Sequence, residues 1–188
     1  AIAIANHNFT ASVTALIEGN SSDSWGAAPV SETITYRSTI MMLFFTAASY
    51  RYWRFSFDDP TNTDGFISVG RLFLGEYLQA DPSSLIEFPE EHIRTDSFQT
   101  SEGNQLYADE GIGYNIYRYS YRRVEDTQKG DIESMHDTVG KHKPIFFTNF
   151  DTTYTVIEPI YCQIQNDITF RYFGGSKWDY DLTLREVN

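Results

Sequence analysis

Strict two-residue alternation commits several stretches of this chain to extended structure. In the run from Tyr52 to Phe57, Trp53, Phe55 and Phe57 alternate with Tyr52, Arg54 and Ser56. Successive side chains of a strand point to opposite faces, so the first three share one face and the second three share the other. The closing run "WDYDLTLREV" repeats the pattern, with Tyr180, Leu182 and Leu184 facing inward and Asp181, Thr183 and Arg185 outward. In "YNIYRYSYRRV" (114–124), Ile116 lies with Tyr114, and Tyr117, Tyr119 and Tyr121 lie opposite. The composition agrees: 13 Tyr and 14 Phe stand against only 3 Met, a balance that suits a pleated surface.

The remaining segments fill in an architecture. Ile2, Ile4, Phe9, Val13, Ala15 and Ile17 alternate weakly, and 18–32 is a loop by its Gly, Ser, Asn and Pro content. "TIMMLFFTAA" (39–48) reads as a buried strand, half the ~20 residues that a membrane span requires. After the polar stretch "DDPTNTDG" (58–65), Ile67 and Val69 share a face, and Gly70 and Gly75 mark a bulge and an exit. Residues 85–113 read as a polar excursion with a short strand or two. Only "EDTQKGDIESMHDTVGKHKP" has helical spacing, in Ile132, Met135 and Val139. That predicts a helix over 127–139, capped by Asp126 or Thr127 and ended by Gly140. The expected fold is mostly β: one jelly-roll-like antiparallel β-sandwich domain spanning 1–188, with one short helix and long loops. A chain of 188 residues is long enough for such a core.

Charge and motif narrow the function. A net charge of −12 opposes binding to nucleic acid and to an anionic membrane surface. "AIAIANHNFT" has no basic segment ahead of an apolar core, so no signal peptide is expected. Cys162 is the single cysteine, which rules out an intrachain disulfide and a Cys-based zinc site; its neighbours read as a core strand. His7, His92, His136 and His142 lack metal-ligand spacing. No nucleophile motif, phosphate loop or paired-carboxylate pattern points to catalysis, so no catalytic, cofactor or metal residue is expected, and the chain reads as a non-enzyme. Asp58, Asp59 and Asp64 suggest calcium, yet Pro60 and Arg71 occupy the two positions an EF-hand-like loop most needs for acids. Asp and Asn that bond their own backbone, with Gly supplying positive φ, make the same stretch a turn.

Two readings remain for the aromatic and basic residues. Tyr117, Arg118, Tyr119, Tyr121, Arg122 and Arg123 form a candidate protein–protein interface, since Tyr and Arg dominate interface hot spots. The alternative is a carbohydrate-binding module that takes a host surface glycan on aromatics near 58–65, Tyr52 and Trp53 among them.

"RYWRFSFDDPTNTDGFISVGRLFLGEYLQ" resembles a stretch of tailed-bacteriophage tail and baseplate proteins: an aromatic-Arg strand, an Asp-Pro-polar-Gly turn, and a strand ending in Gly-Arg-Leu-aromatic-Leu-Gly. It is similar, more distantly, to discoidin-like (galactose-binding-like) jelly rolls. "YSYRRV", "GDIESMHDTVG", "KPIFF" and "LTLREV" resemble the later part of the same phage proteins. The resemblance covers about 50–80 and 117–187. It implies a structural protein of the virion tail, in the tail tip, baseplate or an adaptor, made in the host bacterial cytoplasm. Its partners would be copies of itself in a ring and neighbouring tail proteins, with loops 18–32 and 85–113 ordering on contact.

Overall fold

The computed structural model describes residues 1–80, 85–87, 89–150 and 156–187. Among them are fifteen strands and one helix, and the chain divides into two compact units: 1–77 with 148–160, and 78–147 with 161–188.

The first unit holds β1 (Ile2–His7), β2 (Thr14–Asn20), β3 (Val30–Ile34), β4 (Ile40–Leu43), β5 (Tyr52–Asp58) and β6 (Val69–Leu74). They form two antiparallel three-stranded sheets, ordered β4-β1-β6 and β3-β2-β5. Ile2, Ile4 and Met41 from the first sheet pack against Ala15, Ile17 and Ile34 from the second, with Phe9 in the same cluster. The expected alternation of β5 holds: Trp53, Phe55 and Phe57 pack on this core, while Arg54, Ser56 and Asp58 are exposed. Across the β2–β5 ladder Gly19 faces Trp53, where a Cβ would come within 2.8 Å of the indole. A glycine here leaves the ring its place.

One loop expectation needs correction in this unit. β2 runs to Asn20 and β3 starts at Val30, so the loop placed at 18–32 shrinks to 21–29. Composition misled because Glu18 is polar yet buried, at 5% exposure, on the side of β2 away from Ile17. Its carboxylate accepts from Arg54 Nε at 2.7 Å, and the Arg54 guanidinium lies over the Trp25 ring. A buried carboxylate is tolerated when a neighbour supplies charge and hydrogen bonds together. The stretch 58–65 is a connection between strands as expected: β5 and β6 belong to different sheets, and the loop carries the chain from one layer of the sandwich to the other.

The second unit is organised by β11 (Tyr114–Glu125) and β15 (Lys177–Glu186), which pair antiparallel along most of their length. They sit within a seven-stranded sheet ordered β12-β13-β15-β11-β7, where β12 is Ile145–Phe150, β13 Val156–Ile164 and β7 Leu85–Glu87. β8 (Glu90–Ile93) also pairs with β11, and β14 (Arg171–Gly174) with β15. Tyr119, Tyr121, Val124, Cys162, Ile164, Tyr180, Leu182 and Leu184 are buried, so the inward face expected for the last strand is found. Residues 85–113 contain four short strands rather than one or two; the other pair is β9 (Ser97–Thr100) and β10 (Leu106–Asp109).

The helix α1 spans Asp126–Val139, with Ile132 buried and Met135 and Val139 half-buried. Its N-cap is Glu125, which makes no side-chain cap, so the capping role expected of Asp126 or Thr127 is corrected. Asp126 instead accepts from Trp178 Nε1, which pins the start of the helix to β15. Gly140 ends it as expected, at φ 58° with its N–H donated to the His136 carbonyl. Among the described residues no helix is long and apolar enough to cross a membrane.

This packing sets a stability test. Ile17→Ala should cost about 2–4 kcal/mol in urea unfolding, and Phe66→Ala, at an exposed site, less than about 0.5 kcal/mol. Equal losses at the two positions would contradict the sandwich core.

Candidate assembly surfaces

The loop after β5 is bound to the start of the chain by side chains. Asp59 accepts from the Thr10 backbone N–H at 2.6 Å, from Thr10 Oγ1 at 2.5 Å and from Ser12 Oγ at 3.2 Å. Burial raises the Asp59 pKa, but hydrogen bonds from Thr10, Ser12 and Thr61 outweigh this and hold it below the usual carboxylate range. Asp64 takes a different partner, accepting from Asn8 Nδ2 at 2.9 Å, and Asn62 Nδ2 donates to the Asn8 carbonyl at 3.1 Å. Gly65 turns the chain at φ 75°. The aspartates are thus spent separately on a seam between 8–12 and 59–64. Among the described residues no group of three or more His, Cys, Asp or Glu is placed to hold a metal. Trp53, one of the aromatics considered for glycan stacking, packs on the core and donates Nε1 to the Tyr50 carbonyl.

The six candidate interface residues fall on both faces of β11. Tyr119 is buried against Phe147, and Tyr121 stacks on Tyr180 with ring centroids 4.7 Å apart and planes 8° apart. Tyr117 is half-buried, with its hydroxyl accepting from Asn115 Nδ2. Burial pushes the Tyr121 phenol up to about 12 and raises the Tyr180 phenol as well. Tyr119 and Tyr121 are core, which corrects their reading as surface residues; Tyr117 is covered only in part. Alternation alone does not say which face of β11 is covered.

The arginines lie elsewhere. Arg122 Nη1 donates to the Tyr121 carbonyl at 3.0 Å and to Asp181 Oδ1 at 2.9 Å, fastening β11 to β15. Arg118 is exposed and pairs with Glu91 of β8. Arg123 is set apart by a bulge: Tyr121 pairs with Tyr180 and Val124 with Trp178, so Arg122 and Arg123 together oppose Asp179. Arg123 has φ 59°, its N–H donates to Asp179 Oδ1 at 2.9 Å, and its guanidinium lies 5.1 Å from the exposed Phe173 ring. Bulges re-aim side chains in this way. Of the six, Arg118 and Arg123 are the two that stand exposed.

A surface that composition hid is the hairpin of β9 and β10. These strands pair with each other and, among the described residues, with no other strand. Phe98 pairs with Ala108 and Thr100 with Leu106, so alternation puts these four on one face. Phe98 and Leu106 are 65% and 67% exposed. The base of the arm is tied where Asp96 Oδ1 accepts from the Gly111 N–H at 2.9 Å and Thr95 Oγ1 donates to the Ile112 carbonyl at 3.1 Å. An isolated two-stranded hairpin is marginal in water, and one that shows an apolar face gains by covering it. Phe98, Leu106 and Ile112 were the available signal, three large apolar residues spaced through an otherwise polar segment.

No family model matches this sequence, and no curated protein matches it. Among solved structures, a chain from "Tail of empty GTA particle computed with helical refinement, C6 symmetry" is similar at 11% identity, with a TM-score of 0.40, over 60% of this chain and 81% of that one.

The stacked tyrosines give a pH test. A phenol raised in the folded state contributes stability that is full below its unfolded pKa of 10.0 and is lost as pH rises through about 12. Tyr121→Phe should therefore make the alkaline fall in stability between these values shallower, read by urea unfolding across pH 9–12. An unchanged slope would mean that Tyr121 is not buried as described.

Proposed function

We propose that this chain is a structural protein of a bacteriophage tail, in the tail tip, baseplate or an adaptor, and that it works by assembling with copies of itself and with neighbouring tail proteins. The observation that carries the assembly part is the β9–β10 arm: a hairpin with an exposed apolar face and two edges that pair with no other strand among the described residues. Such edges are templates for further pairing, and a protein that lives free in solution normally covers or charges them. The tail assignment rests on the sequence patterns around 50–80 and 117–187 that resemble tail and baseplate proteins. In this reading each unit is a folded support with its own core. The first unit is held by its sandwich core, the second by the β11–β15 ladder, and the arm makes contact with a partner.

The reading is tested by fractionating particles released from the cells that make this chain, separating heads from tails and identifying the proteins by mass spectrometry. The chain should be found in the tail fraction at several copies per particle. Recovery only as free protein, with intact tails lacking it, would overturn the proposal.

A further inference from the structure

Resting on the assembly reading above, we infer that the β9–β10 arm of one copy seats on the Arg123–Phe173 end of the β11–β15 ladder in a second copy. Both surfaces belong to the second unit, and they lie at opposite ends of β11. The arm leaves the sheet beside Tyr114, where β8 pairs with the first residues of β11. Arg123 and Phe173 lie at the far end, where β14 pairs with the start of β15.

Reach makes the contact intermolecular. From Tyr114 to Arg123 is nine residues, roughly 30 Å of strand, whereas the arm from its tie at Asp96 to its turn at Glu102 extends roughly 20 Å. An arm of this length does not cover the far end of its own ladder, whichever way it points. Two different surfaces at opposite ends of one element make a head-to-tail contact, which closes into a ring or continues as a helix.

Chemistry matches the two ends. At the ladder end, two guanidiniums (Arg122 and Arg171) meet two carboxylates, Asp179 and Asp181, and Arg123 stands beside them as a third cation. The charge left over sits on Arg123, whose guanidinium has an aromatic neighbour and, among the described residues, no carboxylate within ion-pair distance. Beside it Tyr172 and Phe173 are 63% and 60% exposed. The arm offers the complement: Phe98 and Leu106 are exposed, and Glu102, Asp109 and Glu110 carry no cation within ion-pair distance among the described residues. Glu110 follows directly on the last residue of β10 and is exposed, which keeps its charge close to the apolar strands. Apolar surface flanked by opposite charge is what a specific interface needs for affinity and for register.

The test uses the whole chain and charge reversal. Sedimentation velocity over a concentration series at physiological salt should show the unaltered chain self-associating. Arg123→Glu alone and Glu110→Arg alone should each raise the concentration for half-assembly by roughly tenfold or more. Mixed one to one, the two variants should regain assembly, because reversed charges meet across one junction and unaltered charges across the next. Recovery on mixing also shows that both variants are folded. If the unaltered chain associates and the variants do so equally well, this contact is wrong and the assembly reading stands. Two weakened but folded variants that do not recover on mixing also overturn the contact. An unaltered chain that stays monomeric throughout the series overturns both.

Discussion

Tyr121 stacks on Tyr180 where β11 pairs with β15, and just beyond that pair the ladder accommodates an extra residue. Much of the second unit is arranged around this junction. Inward, the stacked rings join Val124, Leu182 and Leu184 in the core. Outward, Arg122 fastens the two strands through Asp181 and two backbone carbonyls, while Asp179 accepts the N–H of Arg123. The helix starts directly after β11, with Asp126 held by Trp178 of the partner strand. A single pairing thus sets the sheet, the start of the helix and the direction in which Arg123 points.

The bulge also connects the core to the surface. Tyr121 and Val124 are both buried although they are three residues apart, which a regular strand of period two does not allow. One extra residue resolves the conflict, and the displaced side chain is an arginine set beside an exposed aromatic ring. The arm at the other end of β11 has the reverse character, apolar with acidic neighbours. A rigid ladder carrying unlike surfaces at its two ends suits a part that is repeated in an assembly.

Legibility in the sequence followed burial on a single face. Trp53, Phe55 and Phe57, and likewise Tyr180, Leu182 and Leu184, are covered on one side only, so the pattern gives both the strand and its direction. The helix was readable from Ile132, Met135 and Val139 together with Gly140, to within a residue at its start. Where the second face is also covered, the pattern fades: Glu18 is buried through its pairing with Arg54, and 18–20 therefore looked like loop. The destination of 58–65 was not legible either, because a polar turn looks the same whether it closes a hairpin or crosses between sheets. For the interface, Arg118 and Arg123 stand exposed, but Tyr119 and Tyr121 are core and Tyr117 is half-buried. The hairpin reads in the sequence only as a polar excursion with a short strand or two, because its strands are short and its apolar residues few and largely exposed.

Hydrogen exchange along residues 94–112 tests the central claim most directly, because it reads the arm in the free and in the assembled chain. If the arm is an assembly element, its amides exchange rapidly in the dilute chain, while those of the β11–β15 ladder are protected, and they become protected on assembly. Protection of the arm in the dilute monomer, or rapid exchange that persists in the assembled form, would contradict the account.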